Sequence, residues 1–134
     1  MNHAQRRFWI AGFWGLAFGV ALAGCDPGPR FEGRSASYWQ LQIKSRNVAD
    51  RWRAAVALGK LTPPEEESVR ALARATGDPD STVRFYAVQA LVRLGPAAAP
   101  AAPELRERLQ DSTPPTRELA RQALAQIENG AAGS

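Results

Sequence analysis

The stretch Val83–Leu94, VRFYAVQALVRL, decides the fold because its apolar residues recur at helical spacing. The residues that share this face, at positions i, i+4, i+7, i+8 and i+11, are Val83, Ala87, Ala90, Leu91 and Leu94. Such spacing places them on one side of an α-helix. The two alanines leave room for a neighbouring helix to approach closely. The stretch therefore predicts an amphipathic helix that packs against other helices.

This pattern occurs three times, with a constant offset of 33 residues that relates Leu58 to Leu91 and Leu91 to Leu124. The three copies are Asp50–Leu61, Val83–Leu94 and Thr116–Ile127. A shorter helical pattern precedes each copy, at Ala36–Lys44, Glu65–Thr76 and Ala102–Gln110. One helix pair alone cannot bury its apolar face, whereas stacked pairs can. The sequence predicts an all-α fold, a short α-solenoid of about three helix-pair repeats over residues 36–129, without strands.

Paired helices at this period, with segments such as AAVALGKL and AVQALVRLG, resemble HEAT repeats, especially their short bacterial form. The resemblance covers about residues 36–128. That family often carries a ladder of Asp–Arg pairs across its turns, and Asp80 precedes Arg84 by four residues, as such a ladder requires. The arginines at equivalent positions are Arg51, Arg84 and Arg117, but the residues equivalent to Asp80 are Asn47 and Thr113. The resemblance thus implies a HEAT-like fold in which the acidic side of the ladder is incomplete.

The N-terminal residues have a different character. A basic segment, MNHAQRR, precedes the uncharged stretch Phe8–Ala23, and small residues then lead to Cys25. A positive start, an apolar middle and a small-residue exit are typical of a secretory signal peptide. The apolar stretch has 16 residues, fewer than the roughly 20 that a membrane-spanning helix needs. We expect export with removal of residues 1–24; the alternative is an N-terminal membrane helix that happens to contain a cysteine.

The four residues Leu22-Ala23-Gly24-Cys25 resemble the lipobox of bacterial lipoproteins. In that family the thiol receives a diacylglycerol, a peptidase cuts before the cysteine, and the new N-terminus is often acylated. The resemblance implies that Cys25 is lipidated and anchors the exported protein to a cell-envelope membrane. Asp26 resembles an inner-membrane retention signal of some sorting systems. We expect residues 25–35 to form a flexible tether and residues 130–134 a disordered tail.

Charge and composition exclude several kinds of partner and site. Beyond residue 24 the chain carries 15 Lys and Arg against 13 Asp and Glu, interspersed along the sequence, whereas nucleic-acid recognition favours a clustered basic stripe. The only histidine is His3 and the only cysteine is Cys25, so the usual zinc ligands and Ser–His or Cys–His nucleophiles are missing. Glu65–Glu67 could hold a cation, although such residues also favour the start of a helix. We predict no nucleic-acid partner, no metal, no cofactor and no enzyme activity.

Candidate binding residues come from the second helix of each pair. Trp52 and Phe85 are equivalent by the 33-residue offset, with Tyr86 adjoining, and they lie beside the apolar face. They either pack in the core or form an aromatic ridge of the kind enriched at interfaces. In HEAT-type stacks the second helices line the concave side, which usually meets the partner. The predicted protein-binding residues on that side are Arg53, Tyr86, Gln89 and Arg93.

The function predicted from these observations is that of a lipid-anchored HEAT-repeat adaptor, which mediates protein–protein interaction at a membrane surface. Two alternatives remain open at this stage. Relatives of the short repeat include bilin-lyase proteins, so the chain could be associated with an enzyme activity. It could also be a structural subunit of an envelope complex. The sequence does not identify the partner protein.

Overall fold

The computed structural model describes residues 28–134. The predicted signal peptide, residues 1–24, and Cys25 lie outside these residues. Within them the chain forms a two-stranded hairpin, six α-helices and one 3-10 helix. The hairpin strands are β1 (Arg30–Phe31) and β2 (Arg34–Ser35). The α-helices are α1 (Ala36–Gln42), α2 (Val48–Leu58), α3 (Glu66–Ala75), α4 (Ser81–Leu94), α5 (Ala102–Arg108) and α6 (Pro114–Ala132), and the 3-10 helix is Gly95–Ala101.

Short polar side chains begin the second helices of the first two pairs. The Asn47 side-chain oxygen accepts a hydrogen bond from the backbone N–H of Ala49, 2.9 Å away. One carboxylate oxygen of Asp80 accepts from the N–H groups of Thr82 and Val83, at 2.9 and 3.2 Å. These caps satisfy donors that the first turn of a helix leaves without a partner. The equivalent position before α6 is Thr113, where prolines take the first two helical positions instead.

The helices form two layers, with α1, α3 and α5 on one side and α2, α4 and α6 on the other. The second helices pack side by side over much of their length, whereas the first helices contact one another less. Gly59 shows how tight the second-helix layer is, since a Cβ there would lie 2.6 Å from the Cβ of Ala90. The second helices form the more closely packed of the two layers, which we name the inner layer, and the first helices form the outer layer. That the inner layer is concave stays a prediction.

Leucines and alanines fill the space between the layers. The fully buried leucines are Leu58, Leu72, Leu91 and Leu105, one from each of four successive helices. The second-helix alanines at the repeat positions are buried as well, namely Ala54, Ala57, Ala87, Ala90, Ala120 and Ala123. The predicted helical repeat architecture is confirmed, with helix ends that differ from the sequence estimate by a few residues.

Residues 30–35 differ from the predicted flexible tether and from the expectation that no strand occurs. Arg30 pairs with Ser35 and Phe31 with Arg34 in an antiparallel hairpin. Its turn residues, Glu32 and Gly33, have φ values of 51° and 72°, the left-handed conformations that a two-residue hairpin turn requires. The Trp39 indole N–H donates to the Phe31 carbonyl at 3.3 Å. Strands of two residues leave no alternation to detect, so this contact with α1 had no sequence signature.

The C-terminal end also differs from expectation. Helix α6 continues to Ala132, past the residue 130 boundary of the predicted disordered tail. Asn129-Gly130 does not end the helix. A Cβ on Gly130 would lie 2.5 Å from the Pro96 ring, so glycine here permits α6 to pack against the 3-10 helix.

Candidate partner-binding surface

An arginine from each second helix fixes the turn beneath it. The Nη1 groups of Arg51, Arg84 and Arg117 donate to the carbonyls of Ser45, Asp78 and Asp111, at 3.1, 3.0 and 2.7 Å. Each carbonyl lies six residues before its arginine, so the three side chains adopt the same pose. The arginine column therefore has a structural role within each repeat.

The acidic side of the ladder is not where the sequence placed it. Arg51 donates from Nε and Nη2 to the two carboxylate oxygens of Asp78, at 2.8 and 3.0 Å. Arg84 does the same to Asp111, at 2.9 and 3.4 Å. The expected pair of Asp80 with Arg84 is therefore wrong, because Asp80 caps α4. Asp78 and Asp111 are themselves 33 residues apart, so two complete rungs join the three repeats. The hydrogen bond to Asp78 also raises the pKa of Arg51 above its ordinary value.

Asp111 is the most buried carboxylate of the ladder, with a side-chain exposure of 1%. Burial by itself would raise its pKa. Hydrogen bonds from Arg84 and from the Thr113 backbone and hydroxyl outweigh burial and lower the pKa from 3.8 to about 2. Because the ionised form makes these bonds, it stabilises the third repeat against the second.

We expect this rung to weaken in acid. A carboxyl group whose pKa is lower in the folded state stabilises the protein above its unfolded pKa, and that contribution disappears as the pH falls. For Asp111 the window runs from about pH 4 to about pH 2, and the contribution lost is about 2 kcal/mol. Chemical denaturation at a series of pH values measures it. The control is Asp111→Asn, which cannot ionise and should lose less stability over this window; equal losses in both proteins would contradict the prediction.

With the turns fixed, the inner face of the second helices presents an aromatic cluster. Trp52 of α2 stacks on Tyr86 of α4, with ring centroids 5.3 Å apart and an interplanar angle of 29°. Phe85 meets Tyr86 edge-on, also at 5.3 Å. Trp52 and Tyr86 are half-buried against the core, whereas Phe85 is half-buried without packing against it. The sequence left open whether Trp52 and Phe85 pack in the core or form a surface ridge. The two residues differ: Trp52 belongs partly to the core, and Phe85 to the surface.

The four predicted binding residues all lie on the inner layer. Tyr86, Gln89 and Arg93 share one face of α4, with Tyr86 and Gln89 half-buried and Arg93 exposed. Arg53 occupies the position in α2 that is equivalent to Tyr86, and its guanidinium lies 5.6 Å from the Trp52 ring centre. The structure therefore places Tyr86, Gln89 and Arg93 on one helix face and Arg53 across the aromatic cluster from them.

Two depressions border this cluster. The first, the end groove, opens at the N-terminal end of the stack with a volume of about 380 Å³. Its lining includes Phe31, Tyr38, Trp39, Trp52, Arg53 and Lys60. The second lies between the starts of α4 and α6 and is lined by Thr82, Phe85, Tyr86 and the two prolines that begin α6. Sequence analysis missed the end groove, because Phe31 belongs to a segment without periodicity.

Two further observations on the described residues concern metal binding and membrane spans. Within residues 28–134 no cluster of three or more His, Cys, Asp or Glu side chains could hold a metal ion. Glu66 and Glu67, proposed as part of a cation site, instead pair with Arg70 and Arg74. The Arg74 hydrogen bond lowers the pKa of Glu67. No helix in the part of the chain that the structure describes has the length and apolar character needed to cross a bilayer.

Comparison with known proteins agrees with this architecture. The family model for HEAT repeats matches residues 39–125. None of the curated proteins matches the chain. The matched range begins in α1 and ends in α6, so it covers all three helix pairs and both ladder rungs. Stacked helix pairs, a constant 33-residue offset and this match lead to one conclusion: the chain belongs to the HEAT-repeat family.

Proposed function

We propose that this protein is a lipid-anchored adaptor that holds a partner protein on the inner face of its HEAT repeats. HEAT repeats generally mediate protein–protein interaction, and solenoids offer extended faces for it. In this proposal the protein binds and positions its partner and carries out no catalytic step.

One observation supports the choice of the inner layer as the binding surface. On the inner layer, Tyr86 stacks on Trp52, and the same face of α4 carries Gln89 one turn and the exposed Arg93 two turns further along. Among the described residues, no carboxylate lies within ion-pair distance of Arg93. Aromatic residues and arginine are enriched in interface cores and dominate binding hot spots. On the outer layer, two of the exposed arginines are already paired, Arg70 with Glu66 and Arg74 with Glu67.

The proposed anchor rests on the sequence before the described residues. Arg6 and Arg7 precede an uncharged stretch that ends in the lipobox-like residues Leu22–Cys25. Each buried methylene of an acyl chain contributes about 0.8 kcal/mol, and a single chain holds a protein only marginally. Two or three chains on Cys25 would keep the domain at a membrane. If Asp26 acts as a retention signal, that membrane is the inner one.

The inner face is tested with a double substitution. We expect Gln89→Ala combined with Arg93→Ala to weaken partner binding by at least about tenfold, or roughly 1.4 kcal/mol. The thermal midpoint should stay nearly constant, because the Arg93 side chain is exposed and Gln89 only half-buried. Tyr86 is left intact, since Tyr86→Ala would also break the stack on Trp52 and destabilise the fold. The partner is first identified with a photo-reactive amino acid at position 122, the exposed α6 position equivalent to Gln89.

The matched control removes the same two residue types from the outer layer. Arg106 and Gln110, in α5 and just after it, are both exposed, and their double alanine variant should bind the partner normally. If the control variant loses binding and the inner-face variant does not, the partner sits on the outer layer and the proposed surface is wrong. If the inner-face variant unfolds, its residues are structural.

A further inference from the structure

Charge is divided unequally between the repeats. Residues 28–61 carry seven Lys and Arg against two Asp and Glu, a net charge of +5. Residues 62–134 carry eight Lys and Arg against ten Asp and Glu, a net charge of −2. The small net charge of the whole domain hides this separation. The basic residues of the first part are Arg30, Arg34, Lys44, Arg46, Arg51, Arg53 and Lys60.

Arg53 and Lys60 line the end groove, which is walled by aromatic rings, and Arg34 lies against Tyr38 in that wall. The Arg34 guanidinium lies 4.6 Å from the Tyr38 ring centre, and the Lys60 ammonium 4.8 Å from that of Phe31. The third is Arg53, above Trp52. All three side chains are exposed. The end of the stack thus combines an apolar aromatic surface with a basic rim.

Ion pairs among residues 28–134 do not neutralise this basic rim. Across residues 28–134, no carboxylate comes within ion-pair distance of Arg34, Arg53 or Lys60. Two acids, Glu32 and Asp50, line the groove, and Asp50 accepts a hydrogen bond from the Ser45 hydroxyl. The large apolar side chains that the described residues expose, Leu41 at 66% and Val48 at 38%, belong to the same repeat.

The position of this end along the chain limits how far it can be from a lipid anchor. Four residues lie between Cys25 and Arg30, where the hairpin begins, so the two positions are five residue steps apart. A fully extended chain spans at most about 3.3–3.6 Å per residue, so the start of β1 lies within about 18 Å of the Cys25 Cα atom. Charges in physiological salt act over about 8 Å. The tether therefore keeps the N-terminal end of the stack close to the bilayer. Whether this end contacts the lipid then depends on the attraction between its basic rim and the headgroups.

We infer that the first-repeat end, formed by the hairpin, α1 and α2 around the end groove, docks on an anionic phospholipid surface. This inference rests on the proposed lipidation of Cys25 and adds an orientation to it. Basic side chains are attracted to anionic headgroups, and Trp and Tyr rings favour the membrane interface. Docking of this end directs the second and third repeats, with their net negative charge, away from the membrane. In this arrangement Trp52 and Arg53 face lipid and not the partner, while Gln89 and Arg93 on α4 remain accessible to a partner.

The protein carries its own probes for this contact. Beyond residue 24 the only tryptophans are Trp39 and Trp52, and both line the end groove. The full-length gene product is isolated in detergent, and its intact mass reports acylation of Cys25 and removal of residues 1–24. It is then reconstituted into vesicles that contain brominated lipid, either all phosphatidylcholine or with about one third phosphatidylglycerol. We expect tryptophan quenching to be at least about twice as strong in the anionic vesicles and to fall as salt is added.

Two matched double charge-reversal variants distinguish the effect of the basic rim from the effect of the protein's net charge. Arg53→Glu with Lys60→Glu should reduce quenching in anionic vesicles to the level seen in neutral ones. Arg106→Glu with Arg121→Glu makes the same change in net charge on other exposed sites and should leave quenching unchanged. Circular dichroism confirms that both variants are folded.

The outcomes distinguish the anchor from the docking. If the mass shows an unmodified Cys25, the anchor proposal is wrong and the docking inference falls with it. If Cys25 is acylated but quenching does not depend on lipid charge, the anchor stands and the inference is overturned. Charge-independent quenching together with cross-linking of Arg53 or Lys60 to an acidic protein would assign this end to that protein instead.

Discussion

The Cys25→Ala variant is expected to incorporate no fatty-acid label and to retain residues 1–24. The predicted modification joins a diacylglycerol to the cysteine sulfur, and alanine offers no nucleophile for that step. Peptidase cleavage follows lipidation in the lipoprotein family that the Leu22–Cys25 stretch resembles, so the precursor should accumulate uncut. Metabolic labelling with a fatty-acid analogue and intact-mass measurement of the protein check both expectations. Because the sequence has one cysteine, no other thiol in the chain can replace it.

Two further variants act as controls for this result. Cys25→Ser replaces sulfur with a hydroxyl of similar size and should also remain unlabelled. Asp26→Ala keeps the thiol and should be labelled and cut, although its membrane of residence is expected to change if Asp26 is a retention signal. Labelling of the alanine variant, or a wild-type protein that keeps residues 1–24, would refute the lipoprotein proposal without affecting the HEAT fold.

Replacing Leu91 with alanine is expected to lower the free energy of unfolding by about 2–5 kcal/mol. Leu91 is fully buried in α4, which packs against α2, α3 and α6. Truncation removes apolar contacts and leaves a cavity that these helices cannot easily close. Since a domain of this size is stabilised by only about 5–15 kcal/mol, the variant should melt at a clearly lower temperature. Urea denaturation followed by circular dichroism measures the change.

The same substitution at an exposed leucine provides the control. Leu41 in α1 is 66% exposed, and Leu41→Ala is expected to change stability by less than about 0.5 kcal/mol. Similar small effects at both positions would show that Leu91 does not lie in the core. The 33-residue alignment, which makes Leu91 equivalent to Leu58 and Leu124, would then be wrong.

Local patterns in the sequence predicted much of the fold. The apolar spacing in Val83–Leu94 predicts which side of that helix is buried. The three copies of this spacing predict how many helix pairs stack. The buried positions Ala54, Ala87 and Ala120 follow directly from that repeat. Each of these inferences depends on residues within a few turns of one another. These inferences therefore agree with the structure, whereas the observed helix ends differ from the predicted ones by a few residues.

The candidate surface was predicted less completely. The sequence placed Tyr86, Gln89 and Arg93 on the side of α4 that faces away from the core, because helical periodicity separates the two sides. It could not place the rings of Trp52 and Phe85, since their burial depends on how closely α2 and α4 approach. It also missed the end groove, because Phe31 reaches α1 through a hairpin too short to leave a pattern.

The sequence by itself determined the helices, their order, their repeat and the residues that face the core, because each follows from short-range periodicity. Only the tertiary structure decided which acid each ladder arginine binds. Arg51 reaches Asp78 and Arg84 reaches Asp111, both 27 residues away, whereas the sequence favoured the nearby Asp80. The tertiary structure likewise gathered Arg34, Arg53 and Lys60 around one aromatic groove. Such contacts join residues that are distant in the chain, and stacking of the helices, which no local pattern encodes, brings them together.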